Sequence, residues 1–169
     1  MELMSAIANR RSVRSYSPRP VPPELLEQVL GAAVCAPSAN NCRPWQIVVV
    51  QDAARRERLA QTHQWSRFAS QAPVILVACG DRRASPTYWV EDVSAAVENM
   101  LLAAHGLGLA SCWIGIRDDT DEHERAVRAA LGIPEQIGVL ALLPLGYPAE
   151  PVGERQPRDP APHVHRESW

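Results

Sequence analysis

Residues 89–107, WVEDVSAAVENMLLAAHGL, decide the architecture of this chain. Val93, Ala96, Val97, Met100, Leu101 and Ala104 recur at helical spacing, and beyond Asp92 only Glu98 brings a formal charge among them. A helix apolar around most of its circumference lies in the middle of a fold, against a sheet or against another subunit. Gly106 and Gly108 end it, and Ala110 to Ile116 follows as a strand. The run GLGLASCWIG (residues 106–115) is not a dinucleotide-binding fingerprint. Its glycines end a helix and precede a strand, the reverse of the order a phosphate-binding βα turn requires.

Outward from this centre, helices and strands alternate without repeats. Trp45–Val50 and Pro73–Cys79 have the β-branched richness of buried strands, and Gly138–Leu145 is a fourth strand. A helix over Glu2–Asn9 carries Leu3, Met4 and Ile7 on one face. A second starts at Pro22-Pro23, where proline suits the first turn, carries Leu25, Leu26, Val29, Leu30 and Ala33, and stops before Pro37. Ala53–His63 reads as an exposed helix and Asp121–Leu131 as a surface helix. Asp119 and Glu122 are spaced as a capping box, and the acids from Asp118 to Glu124 complement the helix dipole. The pattern predicts one α/β (α+β) domain over residues 1–169, with the proline-rich stretch 149–169 as an extended arm that cannot fold on itself.

Composition removes several chemistries. All 17 basic side chains are arginines, so there is no lysine for a pyridoxal-phosphate Schiff base, a Walker-type phosphate loop or a kinase strand. A net charge of −2 without a basic stripe argues against a nucleic-acid partner. The longest apolar run, Val74–Cys79, is too short for a bilayer, and no signal-peptide pattern opens the sequence, so a cytoplasmic protein is expected. Cys35, Cys42, Cys79 and Cys112 form no CxxC pair, which suits reduced thiols; all but Cys42 read as small buried residues. His163 and His165 in the arm have no third ligand nearby in sequence, and no metal is expected.

Three clusters carry candidate chemistry. In Arg10-Arg11-Ser12-Val13-Arg14, an extended backbone puts Arg10, Ser12 and Arg14 on one side, two guanidinium forks and a hydroxyl suited to a planar anion or a phosphate; a solvated basic turn is the plainer reading. Ala36-Pro37-Ser38-Ala39-Asn40-Asn41-Cys42-Arg43-Pro44-Trp45 is a rigid polar loop before a strand, a favoured place for ligand donors. Around Trp113-Ile114-Gly115, a strand ends on a glycine that lets backbone approach a flat ligand. Trp65, Phe68, Tyr88 and Trp89 either line such a site or simply pack.

In this order and at these separations, the clusters together with Gly146-Tyr147-Pro148, a late arginine and the terminal Trp169 resemble the FMN-dependent nitroreductase family over nearly the whole chain. The resemblance implies a three-layer sandwich with a central mixed sheet flanked by helices, and a homodimer with FMN at the subunit interface whose C-terminal arm wraps the partner. It implies that Arg10, Ser12 and Arg14, with Arg11 beside them, hold the phosphate, ribityl chain and pyrimidine edge. Asn41 would contact the ring, with Pro37 and Ser38 donated by the partner subunit. Trp113, Ile114 and Gly115 would supply the strand end facing the reactive edge of the ring, and Arg158 would complete the phosphate site, where Gln156 replaces a basic residue of some relatives. The implied activity is NADH- or NADPH-dependent reduction of small planar acceptors such as nitroaromatics or quinones, by ping-pong turnover with no side-chain acid or base. A substrate-specific flavin dehydrogenase or dehalogenase, or a non-catalytic flavin-binding protein, is the alternative.

Overall fold

The computed structural model describes residues 2–117, 120–153, 155–156 and 158–169. Five helices, α1 (Leu3–Asn9), α2 (Pro23–Val34), α3 (Ala53–Ala60), α4 (Trp89–Gly106) and α5 (Glu122–Leu131), surround five strands, β1 (Trp45–Val50), β2 (Val74–Asp81), β3 (Ala110–Ser111), β4 (Ile114–Gly115) and β5 (Ile137–Gly146). The sheet order is β1-β2-β5-β3, with β4 also paired to β5. All four ladders are antiparallel, and the one parallel pairing among the described residues is an isolated bridge between Ser12 and Ser111. The sheet is therefore mixed only at that bridge.

Side-chain alternation along the central strands builds the layers. Val74, Leu76 and Ala78 of β2, with Leu143 and Leu145 of β5, pack with Leu26, Val29, Val93, Val97, Met100 and Leu101 of α2 and α4. Ile75, Val77 and Cys79, with Val139 and Leu142, point the other way, into a second core with Leu59 of α3 and Val127 of α5. The result is helix, sheet and helix layers, and α4 takes the central place its composition requires.

Several boundaries differ from the sequence reading. β1 is an edge strand, paired only to β2, and its middle is half-buried rather than buried. α3 ends at Ala60, three residues early, and Cys112 and Trp113 break the expected strand of residues 110–116 into β3 and β4. At α5 the N-cap is Asp121 in a left-handed conformation, with no side-chain cap; Asp119 lies outside the described residues. Cys35 is exposed and only Cys79 and Cys112 are buried. Trp89 is buried. Its ring lies across the sheet so closely that a Cβ on Gly80 or Gly138 would come within 2.9 Å or 2.6 Å of it, which is why those strand positions lack side chains. Glu124 of α5, almost fully buried, receives Arg82 at 2.7 and 2.8 Å and Arg128 at 2.7 Å, fastening α5 to the sheet.

Candidate functional site

The stretch after α1 runs beside the sheet and is tied down by backbone and by one aromatic hydroxyl. Ser12 bridges Ser111, Val13 donates its N–H to the Ser111 carbonyl at 3.0 Å, and Tyr16 bridges Pro148. The buried Tyr16 hydroxyl donates to the Val13 carbonyl at 2.7 Å, and burial raises its pKa, so it stays a donor. Burial raises the Cys112 pKa, and Arg14, Ser12 and Arg10 of this track pull against it.

The arm returns to the same place. The Arg155 N–H donates to Asn9 Oδ1 at 3.2 Å and its guanidinium to the Arg10 carbonyl at 3.4 Å. Arg158, Arg10 and Arg11 together lower the Arg155 pKa, Arg158 most. Four guanidinium groups thus share one region, and Glu98 of α4 reaches Arg10 at 3.5 Å. Such repulsion is what a multiply charged anion relieves. Arg155, next to the neutral Gln156, belongs to no motif in the sequence, and only the path of the arm brings it to Asn9 and Arg10. Beside the cluster, His105 in the last turn of α4 has a buried Nε2 without a hydrogen-bond partner among the described residues, and burial, then Arg10, lowers its pKa.

The loop 36–45 is built differently. Asp92, in the first turn of α4 and 5% exposed, accepts the Ala39 N–H at 2.7 Å and the Ser85 hydroxyl at 2.7 Å, and the Cys42 thiol lies 3.6 Å from the same carboxylate. Asn40, Asn41 and Arg43 all take positive φ, without a glycine among them. Ser38 Oγ accepts the Arg43 N–H at 2.9 Å, and Arg43 Nε donates to Asn41 Oδ1 at 3.0 Å. Ser38 and Asn41 are thus held in a stiff, partly exposed loop.

One chain does not bring these halves together. The loop leads into Trp45, which pairs with Gly80 and through it with Gly138 at the start of β5. The arginine track pairs through Ser111 with Leu145 at the far end of β5. Seven residues of strand, roughly 20 Å, separate them. The helix agrees, since the loop is held at Asp92 and the track near His105, thirteen residues or roughly 20 Å along α4. Ile114 and Gly115 lie between, opposite Leu142 and Ala141, with Trp113 beside them. Phe68 packs under the track with the Arg14 guanidinium 6.0 Å from its ring, whereas Trp65 and Tyr88 are exposed.

An exposed apolar surface lies along the second half of α4. Leu3, Met4 and Ile7 of α1 are 67%, 71% and 47% exposed, and beside them α1, α2 and the second half of α4 enclose an open groove of 650 Å³. Leu3, Ala6, Gly31, Leu102, Ala103 and Leu107 line it. Gln28, Cys35 and Asn99 line it too, and exposed apolar faces of this kind are where proteins meet partners.

The sequence model described as the Nitroreductase family matches residues 7–66 and 54–147. The chain belongs to that family. It is 40% identical, over all of its length and 88% of the relative's, to a protein of Methanothermobacter thermautotrophicus whose name pairs NADH dehydrogenase with NAD(P)H nitroreductase. It is 28% identical to the Bacillus subtilis protein named FMN reductase [NAD(P)H], across 99% of this chain and 74% of that one. Among solved structures, the FMN-dependent nitroreductase of Clostridium difficile superposes with a TM-score of 0.89 at 31% identity, covering 98% of this chain and 99% of that one. Among the described residues of this nitroreductase-family chain, no helix is long and apolar enough to cross a membrane.

Proposed function

We propose that this chain is a homodimeric FMN-dependent NAD(P)H oxidoreductase that reduces small planar acceptors, nitroaromatics or quinones, in the cytoplasm. The observation that carries the reading is the separation of the two half-sites by roughly 20 Å along β5, too far for one small ligand to touch both in one copy. Two copies joined antiparallel across the α1, α2 and α4 face set the arginine track of one against the loop 36–45 of the other.

The donors present fit FMN. Its phosphate needs paired cations, and Arg10, Arg11, Arg155 and Arg158 gather in one region, where Arg158 first, then burial, Arg10 and Arg11 lower the Arg155 pKa. Ser12 adds a hydroxyl, and Arg14, braced on Phe68, places a fixed cation where the pyrimidine edge of the ring would lie. Trp113, Ile114 and Gly115 offer a strand end for the ring to rest against, and Pro37, Ser38 and Asn41 of the second copy close the other side. When bound, FMN supplies hydride transfer in both directions. The chain's work is to hold, orient and shield it, with no side chain assigned as acid or base. The arm, with Val152, Val164 and Trp169 exposed, extends over the second copy. Between β1 and β2 lie only α3 and a short 3₁₀ helix, Arg67–Gln71, which favours an open site over a substrate-specific lidded one.

The test is a visible spectrum and anaerobic titration of purified protein. The expected outcome is a yellow dimer, bleached by NADH or NADPH and recoloured by a quinone or nitroaromatic. A colourless protein that FMN neither stains nor stabilises would sink the reading, and a yellow one that neither nucleotide reduces would leave only a flavin binder.

A further inference from the structure

We infer that Arg43 is a positioning residue for the flavin site, acting through Asn41: it fixes the orientation of the Asn41 amide so that its NH2 group, and not its carbonyl, is offered to the ligand. The inference deepens the proposed function and rests on it.

An asparagine side chain can be turned either way, and which end meets a ligand decides what it recognises. Here the choice is made by chemistry. Arg43 Nε carries one hydrogen and can only donate, so the Asn41 atom 3.0 Å from it must be the oxygen. The NH2 is left without a partner among the described residues. An amide fixed this way donates to a carbonyl acceptor, such as those on the pyrimidine edge of a flavin, and does not present its own oxygen there.

The backbone supports a dedicated role. Arg43 has φ +51° immediately before Pro44, although non-glycine residues avoid this region and residues before proline favour extended backbone. Such a conformation persists where the surroundings over-determine it. The Arg43 N–H bond to Ser38 Oγ at 2.9 Å closes the loop, and the positive φ aims the side chain back along it to Asn41, two residues away. Arg43 is exposed and has no carboxylate partner within 4.0 Å among the described residues, so a stabilising ion pair does not account for it.

Two variants separate the hydrogen bond from the charge. Arg43→Gln puts an N–H donor the same number of bonds from Cα as Nε and removes the charge; Arg43→Lys keeps a charge and puts a methylene there. FMN affinity of the apoprotein, by fluorescence quenching, and the midpoint potential of bound FMN are measured for wild type, both variants, Arg43→Ala, Asn41→Ala and the double alanine variant. Expected are near-wild-type affinity and potential for Arg43→Gln, and about tenfold weaker binding with a lowered potential for Arg43→Ala and Arg43→Lys. The double variant should bind no more weakly than Asn41→Ala alone. Wild-type behaviour in Arg43→Lys with loss in Arg43→Gln, or additive losses in the double variant, overturns the assignment, because Arg43 would then act without Asn41. Failure of the wild type itself to bind FMN overturns the functional reading instead.

Discussion

The carboxylate of Asp92 accepts the backbone N–H of Ala39 at 2.7 Å, joining the first turn of α4 to a loop 53 residues earlier in the chain. The same group takes the Ser85 hydroxyl, so one buried acid fixes the loop against the helix that crosses the middle of the fold. Asp92→Ala removes the acceptor and leaves a buried N–H and hydroxyl unpaired, a loss of about 2–4 kcal/mol in urea denaturation. Asp92→Asn keeps a carbonyl for Ala39 and should lose less than half as much. Equal stability of wild type and Asp92→Ala would mean the loop holds itself.

The long helix and the two core strands were legible because each buries a continuous apolar set, and burial is what periodicity records; β1, half-buried at the edge, was legible from its β-branched run alone. The left-handed conformations at Asn40, Asn41 and Arg43 were not, because they follow from Asp92 and Ser38 rather than from a local glycine. The break at Cys112 and Trp113 was hidden similarly: the run is apolar throughout, and its pairing to β5 is decided by the partner strand. The candidate residues could be named from sequence, but not their distribution between opposite ends of β5, which is a property of register.

Arg155 provides a test of the arm. If it faces the phosphate, Arg155→Gln should weaken FMN binding by roughly tenfold and leave riboflavin binding unchanged, since riboflavin lacks the phosphate. The slope of FMN affinity against salt should fall in the same variant. Parallel losses for both flavins would place Arg155 in the fold of the arm and not at the phosphate.

The four cysteines should divide into two pairs. Burial, with Glu124 nearby, pushes the Cys79 pKa up to about 12, and burial raises that of Cys112 against the opposing pull of Arg14, Ser12 and Arg10. Thiolate is the reactive form, so neither should react with a disulfide reagent at pH 8 in the folded Ile7→Glu apoprotein, where no second copy covers the groove or the loop 36–45, whereas the exposed Cys35 and half-buried Cys42 should. Two thiols titrating quickly, and four in urea, is the expected count; native labelling of Cys79 would contradict the packing of β2.

His105 makes a prediction about acid. Its folded pKa lies below the ordinary value near 6.5, so below that pH the unfolded chain binds the proton more readily and stability falls as pH falls, levelling once the folded form also protonates. His105→Gln removes this contribution. In thermal melts of the apoprotein from pH 8 to pH 5, the wild type should lose Tm relative to the variant only below about pH 6.5. Curves that stay parallel across that range would show that His105 is solvated and titrates normally.

The groove tests the dimer and the flavin site together. Leu3 and Ile7 are exposed in the single chain, so a glutamate at either position is tolerated by the fold of one copy. In a two-fold interface each substitution occurs twice and buries an unpaired carboxylate in each copy, at roughly 3–5 kcal/mol apiece, enough to weaken association more than about a thousandfold. Ile7→Glu should therefore sediment as a monomer with an unchanged apoprotein melting temperature at low concentration. In the proposed dimer the arginine track and the loop 36–45 meet only between copies, so the monomer should also lose its FMN, and raising protein and FMN together should restore both. A monomer that stays yellow would show that one copy binds the flavin unaided, and the composite site would have to be abandoned.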